Sequence, residues 1–205
     1  MNKGLFIVLE GPDGSGKTTQ AAKLADWFRL YGREVVVTRE PGGTEAAEEI
    51  REIVLDPALN LSAETEILLH LAARADHVAK VIRPAVEAGK VVLCDRFSDS
   101  TLVYQGILRN RDLGELVQLN GFATQGLLPD LTLLLDGSPR ALLSRRKDRG
   151  VVDKFELQGL DFQEKVRNGY LQLAKAEPER FLVVDALGDP AVVSAEITKQ
   201  LEKLL

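Results

Sequence analysis

The chain has few residues that bind soft metals or form disulfides. Its 205 residues include one cysteine, Cys94, and two histidines, His70 and His77. A single cysteine cannot form an internal disulfide, and these three side chains are too few for a structural zinc site. The composition therefore predicts a protein of a reducing compartment.

Long apolar runs and an excess of positive charge are also missing. The run nearest the amino terminus, Leu5 to Leu9, is short, and no stretch approaches the roughly 20 apolar residues that a membrane-spanning helix requires. The net charge of −5 leaves no chain-wide basic field for a nucleic-acid backbone. We therefore expect a cytoplasmic protein that binds neither membranes nor nucleic acids, and any anion site must be local.

Short apolar runs alternate with helix-length segments along the chain. Runs too continuous for a half-exposed strand suit strands that are covered on both faces in a parallel sheet. The runs are Leu5 to Leu9, Val35 to Thr38, Val91 to Cys94, Leu131 to Leu135 and Phe181 to Val184, with helical spacers at Thr18 to Leu30, Ser62 to Ile82 and Phe155 to Ala176. The pattern predicts one α/β domain over residues 1–205, with a five-stranded parallel sheet between two helical layers.

A phosphate-binding loop is the strongest functional signal. The GxxxxGK[ST] pattern is matched between the first predicted strand and the first helix by Gly11, Pro12, Asp13, Gly14, Ser15, Gly16, Lys17 and Thr18. The glycines let backbone N–H groups approach phosphate oxygens, and the helix amino terminus adds its dipole. Lys17 is expected to reach the β- and γ-phosphates of ATP, and the Thr18 hydroxyl to bind Mg²⁺.

The residues after the third predicted strand favour a small-molecule kinase among the P-loop proteins. The guanine-reading sequence NKxD is absent, and 22.5 kDa leaves little room for motor or transporter machinery. Asp95 and Arg96 follow the strand at the sheet edge where open α/β folds bind ligands. Asp95 is expected to lie near Mg²⁺, and Arg96 to bind the phosphate of an acceptor.

Together these motifs resemble bacterial thymidylate kinase, one of the P-loop nucleoside monophosphate kinases. The resemblance spans residues 4 to about 170 and rests on GPDGSGKTTQ from Gly11, TREPGGT from Thr38, AARA and HV at 72–75 and 77–78, DRF through YQG at 95–106, and DKFE from Asp153. It implies Mg²⁺-dependent transfer of the γ-phosphoryl group of ATP to dTMP, giving dTDP for dTTP biosynthesis. It also implies a homodimer.

The resemblance further implies a dTMP site. Its members are Asp13, Arg39, His70, Arg74, Arg96, Ser100, Thr101, Tyr104 and Gln105. By the family pattern Asp13 contacts the sugar, Arg96 grips the phosphate, and Arg74 faces the thymine ring. Tyr104 packs against C2′, which disfavours a ribose hydroxyl. The family usually has phenylalanine at position 70, so His70 is expected to stack on the base with less apolar contact.

The helical pattern of residues 62–82 supports part of this assignment. At 100° per residue His70, Arg74 and His77 share one stripe. A neighbouring stripe predicted to face the core contains Leu68, Leu71, Ala72, Ala75, Ala79 and Ile82. Considered singly, each histidine is expected at the surface.

A basic segment at about 140–156 is predicted to form a lid over ATP. Its cations are Arg145, Arg146, Lys147, Arg149 and Lys154. A charge run is usually a solvated helix face, but this one follows the fourth strand, where the family has its lid. Because residues 11–16 contain no arginine, we expect the lid to supply positive charge to the transferring phosphoryl group. Arg149 is the first candidate, followed by Arg145 or Arg146, and the predicted catalytic set is Lys17, Arg96, Arg149 and Asp13.

Two other classes remain compatible with the sequence. Another nucleoside monophosphate kinase or a deoxynucleoside kinase could share the loop and the lid. A nucleotide-dependent switch that turns over slowly could also use the loop, although the absence of NKxD argues against a guanine switch.

Overall fold

The sheet and its order follow the predicted α/β pattern. A computed structural model describes residues 3–142 and 159–204. The strands are β1 (Leu5–Glu10), β2 (Val35–Arg39), β3 (Val91–Asp95), β4 (Leu131–Asp136) and β5 (Phe181–Asp185). They pair in parallel in the order β2-β3-β1-β4-β5. The predicted five-stranded parallel sheet is confirmed.

Each strand ends one residue later than its apolar run. The additional residues are Glu10, Arg39, Asp95, Asp136 and Asp185. Parallel pairing continues into this polar position, because backbone hydrogen bonds do not depend on the side chain. All five charged residues therefore lie at the carboxyl edge of the sheet.

Helices cover both faces of the sheet. They are α1 (Lys17–Leu30), α2 (Glu45–Leu55), α3 (Ala63–His77), α4 (Arg83–Glu87), α5 (Ser98–Thr101), α6 (Leu113–Thr124), α7 (Gly159–Ala176) and α8 (Pro190–Leu204). One π-helical turn, Val78–Ile82, joins α3 to α4, and another, Leu102–Gly106, follows α5 and leads into a 3₁₀ turn, Ile107–Arg109. Ser62 caps α3, since its hydroxyl accepts the Thr65 N–H.

The alternating side chains of β1 divide the core into two halves. Ile7 and Leu9 pack with apolar residues of α1 and α8, while Phe6 and Val8 pack with the π-helical turn at 78–82 and α4. A third cluster lies between α3, α6 and α7. These layers confirm the three-layer architecture. None of the described helices has both the length and the apolar character needed to cross a membrane.

The predicted stripes on α3 are partly wrong. Leu71 and Ile82 are buried, as expected, but Leu68 is 60% exposed and Ala72 is also exposed. Ala79, from the same predicted stripe, is exposed as well, and the buried positions of α3 are Ile67, Leu71, Ala73, Arg74 and His77. Because α3 packs against both α2 and α6, Leu68 and Ala72 are left on its outward side.

One further prediction is wrong, and another concerns residues that the structure does not describe. His77 is fully buried, which contradicts the surface position expected for it, because its ring bonds to Glu40 and Thr38. The predicted lid cations, Arg145, Arg146, Lys147, Arg149 and Lys154, lie outside the described residues.

Candidate active site

The phosphate-binding loop is held open by backbone geometry that glycine allows. Gly11 has φ 139°, and a Cβ there would lie 2.5 Å from the carbonyl oxygen of Leu135. Gly16, which precedes α1, has φ 91°. The loop therefore curls against β4 and ends directly at the helix amino terminus, where N–H groups attract anions.

Lys17 folds back over this loop. Its Nζ donates to the carbonyl oxygens of Gly11, at 3.0 Å, and Pro12, at 3.1 Å. Burial, together with the nearby charge of Arg96, lowers the pKa of Lys17 to about 8. The ammonium group is thus placed over the loop before any phosphate binds.

Thr18 and Asp95 bring two oxygen ligands together beside the loop. The Thr18 hydroxyl donates to Asp95 Oδ2 at 2.8 Å. A hydroxyl and a carboxylate are hard oxygen donors of the kind that Mg²⁺ prefers. The donor set at this edge of β3 therefore fits the predicted Mg²⁺ site.

Arg96 contacts side chains from several parts of the site. Its backbone is in the left-handed region, with φ 70°, which is uncommon for a side chain of this size. Nη2 donates to Asp13 Oδ1 at 2.6 Å, and Nη1 donates to Ser100 Oγ at 3.2 Å and to the Tyr170 hydroxyl at 3.0 Å. The guanidinium also lies 5.3 Å from the centre of the Tyr104 ring. Contacts from four elements thus fix its direction.

Two cavities meet at Asp13 and Arg96. The first, of about 340 Å³, follows the phosphate-binding loop, Thr18 and Asp95. The second, of about 480 Å³, has an apolar wall that includes Val54 and Phe162. Asp13, Glu40, Arg51 and Arg96 line both cavities. A donor tail over the loop and a second ligand in the larger cavity would therefore meet beside these residues, of which Asp13 and Arg96 form an ion pair.

The structure brings together all nine residues predicted for the acceptor. Arg39 lines the cavity over the loop, and Asp13 and Arg96 line both cavities. The others line the larger cavity and are His70, Arg74, Ser100, Thr101, Tyr104 and Gln105. Ser100 accepts a hydrogen bond from Arg96 and therefore lies where the two cavities meet.

Arg74 is buried on one wall of the larger cavity by a set of matched acceptors. Its Nε donates to Glu40 Oε2 at 2.7 Å, and Nη2 donates to the carbonyl oxygen of Phe97 at 3.0 Å. Nη1 donates to the Thr101 hydroxyl at 3.0 Å and to the Asn120 side-chain oxygen. These bonds compensate for burial of the charge and present the guanidinium in a fixed plane.

His70 lies on the same wall as an uncharged ring. Burial, with the neighbouring charge of Arg74, lowers the pKa of His70 to about 4. A neutral imidazole adds no further positive charge to a cavity that Arg74 and Arg96 already line.

Several residues of the site escaped prediction from the sequence. They are Glu10, Glu40, Arg51, Asn120, Phe162 and Tyr170. Glu10 did carry a signal, because a glutamate directly after an apolar strand and before a phosphate-binding loop is placed at the ligand edge. Tyr170 carried none, because it reaches the site from α7 only through the tertiary fold.

Comparisons with known proteins all match the same family. The thymidylate kinase family model matches residues 9–197. The chain is 50% identical to thymidylate kinase of Deinococcus radiodurans, over 96% of each chain, and 50% identical to that of Clavibacter sepedonicus, over 98% of this chain and 96% of the relative. The crystal structure of thymidylate kinase from Ehrlichia chaffeensis superposes with a TM-score of 0.80 at 34% identity, covering 97% of this chain and 98% of the other. The protein therefore belongs to the thymidylate kinase family.

Proposed function

We propose that the chain transfers the γ-phosphoryl group of ATP to dTMP, giving dTDP and ADP. The observation that supports it most directly is the meeting of two cavities at Asp13 and Arg96, one over a phosphate-binding loop and one with a neutral ring and a fixed guanidinium. Membership of the thymidylate kinase family gives the same reaction.

The acceptor supplies its own nucleophile. A phosphate monoester with a second pKa of about 6 is mostly a dianion at neutral pH, so its oxygen needs no general base. That oxygen forms a bond to the γ-phosphorus of ATP as the bond to the β,γ-bridging oxygen breaks, and ADP leaves with the bridging electrons. The protein has to align the two nucleotides and neutralise the charge between them.

Four side chains of the described site suit these tasks. Lys17 would bind the β- and γ-phosphates, and Arg96 would hold the acceptor phosphate beside Asp13. Thr18 and Asp95 would hold Mg²⁺, which when bound neutralises charge on the phosphates. We also propose Arg149 as the lid cation, with Arg145 or Arg146 as alternatives; this rests on the sequence alone.

The larger cavity favours a pyrimidine deoxynucleotide. His70 and Arg74 would face the base, with Thr101 and Gln105 at its edge, and the Tyr104 ring would exclude a ribose hydroxyl. Arg39 would support the phosphate side from the cavity over the loop.

We further propose a homodimer formed through α3 and α6. Adjoining surfaces of these helices expose Leu68, Ala72, Val117 and Phe122, and Phe122 is 87% exposed. Large exposed apolar residues on neighbouring helices are typical of an interface. Light scattering should give the mass of a dimer for the wild type and half that mass for Phe122→Glu. Leu30→Glu on α1 is the control and should stay a dimer, and a monomeric wild type would contradict the proposal.

The cytoplasmic location and the absence of a nucleic-acid partner stay predictions from composition.

An acceptor panel tests the reaction. ADP release is measured with ATP and Mg²⁺ and, separately, dTMP, dUMP, dCMP, dGMP and AMP. We expect dTMP to give the highest kcat/KM. A preference for another monophosphate would assign a different kinase, and slow ADP release that no acceptor accelerates would indicate a switch.

A further inference from the structure

Glu10 is a fully buried carboxyl group that the reaction above does not use. It ends β1, directly before the phosphate-binding loop, and is 0% exposed. Its Oε1 accepts the backbone N–H groups of Phe97, at 2.8 Å, and Ser100, at 3.2 Å. Its Oε2 accepts the hydroxyl groups of Ser100 and Tyr170, both at 2.8 Å. Four donors thus compensate for the cost of burying this group.

The two hydroxyl groups that bond to Glu10 also bond to Arg96. Ser100 Oγ and the Tyr170 oxygen both accept from Arg96 Nη1. The two hydroxyl oxygens are also 2.9 Å apart, so one hydroxyl can donate to the other. An ionised carboxylate only accepts hydrogen bonds, so the remaining hydroxyl hydrogen points to Glu10 while lone pairs turn to Arg96. Glu10 Oε2 is itself 4.0 Å from Arg96 Nη1. Burial raises the pKa of Glu10, and the charge of Arg96 opposes that rise by favouring the carboxylate.

Glu10 also holds the backbone on which Arg96 depends. Of its two main-chain donors, Phe97 N–H directly follows Arg96 and Ser100 N–H lies four residues after it, and Arg96 itself has a φ of 70° in the left-handed region. A strained backbone of this kind persists only where the surroundings fix it. The same carboxyl group therefore contributes to both the main chain and the side chain of Arg96.

We propose that Glu10 is a positioning residue for phosphoryl transfer, acting through Ser100 and Tyr170 to fix the direction in which Arg96 presents its guanidinium to the acceptor phosphate. This inference rests on the proposed function, since it assumes that Arg96 holds that phosphate. Glu10 touches neither nucleotide. Its effect on rate arises because a misplaced guanidinium binds the acceptor phosphate out of line with the donor.

A double-mutant cycle on kcat/KM for dTMP separates this role from a structural one. Glu10→Gln keeps the volume but replaces one accepting oxygen by an NH₂ group, so the hydroxyls of Ser100 and Tyr170 lose their common acceptor. We expect kcat/KM to fall by about 10- to 100-fold, with the KM for ATP unchanged. Arg96→Lys keeps a charge but loses the fork. In the Arg96→Lys variant, adding Glu10→Gln should lower kcat/KM by no more than about threefold, because the effects of coupled residues are non-additive.

Asp99→Asn provides the matched control. Asp99 is a buried carboxyl group on the same segment, but it pairs with Arg180 at 2.7 and 2.9 Å instead of sharing partners with Arg96. Asp99→Asn should lower the melting temperature, and it should change kcat/KM by the same factor in the wild type and in the Arg96→Lys variant. Tyr170→Phe serves as a second route if Glu10→Gln does not fold, since it removes the hydroxyl that bridges Glu10 to Arg96.

The outcomes distinguish the inference from the function beneath it. If Glu10→Gln, or Tyr170→Phe in its place, lowers kcat/KM by the same factor in the wild type and in the Arg96→Lys variant, the positioning role of Glu10 is overturned. The phosphate role of Arg96 is left intact by that result. If Arg96→Lys alone leaves kcat and the KM for dTMP unchanged, the proposed phosphate site is wrong, and the inference falls with it.

Discussion

Asp13 and Arg96 form an ion pair in which Oδ1 and Nη2 are 2.6 Å apart. Asp13 belongs to the phosphate-binding loop and Arg96 follows β3, so the pair spans the boundary between the two cavities. A phosphate that binds Arg96 has to share the guanidinium with the Asp13 carboxylate. Asp13 therefore orients Arg96 in the free protein but repels a dianion that arrives there.

Asp13→Asn should separate these two effects. Without the carboxylate, inorganic phosphate should inhibit competitively against dTMP with a Ki about 3- to 10-fold lower, because one like charge has been removed. Turnover of dTMP should nevertheless fall about 10-fold or more, because the amide holds Arg96 less firmly. Steady-state inhibition kinetics measure both quantities. A Ki that rises in parallel with the loss of turnover would mean that Asp13 does not compete for Arg96.

Lys17→Ala and Arg96→Ala test the charge neutralisation. Each should lower kcat/KM by orders of magnitude, about 100-fold or more, since each removes a cation from the transferring or accepting phosphate. Circular dichroism should show that the fold survives, because neither side chain is part of the apolar core. Near-normal turnover by either purified variant would contradict its assigned role.

The sequence predicted the elements whose signals are local. Apolar runs identified all five strands, and the glycine pattern from Gly11 to Thr18 located the loop between β1 and α1, because both signals depend on neighbouring residues. Arg96 and Asp95 were placed correctly at the sheet edge for the same reason. Tyr170 was missed because its position depends on how α7 packs, and the burial of His77 depends on Glu40 and Thr38, which are distant in the chain.

The helical segments predicted from the sequence did not include α2, α4, α5, α6 or α8. Of these, α2 and α6 pack chiefly against α3, so their positions depend on another helix and not on a neighbouring strand. The outward side of α3 was assigned to the core because periodicity gives the angle between side chains but does not say which angle faces the sheet. Only packing against two other helices decides that direction.

Protons should be taken up when ATP binds. The pKa of Lys17 in the free protein is lowered to about 8, below its model-peptide value of 10.5. The folded protein thus disfavours the charged form of Lys17, which lowers the free energy of unfolding. This cost is present in full below pH 8, and it fades as the pH rises from the folded pKa to the unfolded pKa. Phosphates over the loop favour the ammonium form, so binding at pH 8 should take up about half a proton.

Calorimetry in two buffers of different ionisation enthalpy measures this uptake. Lys17→Arg is the control, because a guanidinium stays protonated throughout and contributes no uptake. Equal uptake by both proteins would mean that another group titrates.

His70→Phe should strengthen acceptor binding without changing its dependence on pH. A phenyl ring offers more apolar contact to the base than imidazole does, so the KM for dTMP should fall about two- to fivefold. His70→Ala should raise it about 10-fold, since stacking on a base contributes on the order of 1–3 kcal/mol. Because the pKa of His70 is lowered to about 4, the wild type and His70→Phe should give parallel KM profiles above pH 5. A difference between the profiles near neutral pH would show that His70 carries charge in the complex.

Glu40 should be the carboxyl group on which the acceptor wall depends most for stability. Its two oxygens bond to Arg74 Nε at 2.7 Å and His77 Nδ1 at 3.1 Å, and all three side chains are almost fully buried. Glu40→Gln keeps the shape but leaves the Arg74 charge without its anion, and breaking a buried pair in this way costs about 3–5 kcal/mol. Urea unfolding should therefore give a much lower midpoint with an unchanged slope. Glu34→Gln is the control, because Glu34 pairs with Lys90 at the surface and is 76% exposed, so its midpoint should hardly move. Equal midpoints for the two variants would mean that the buried triad contributes no more to folding than a solvated ion pair.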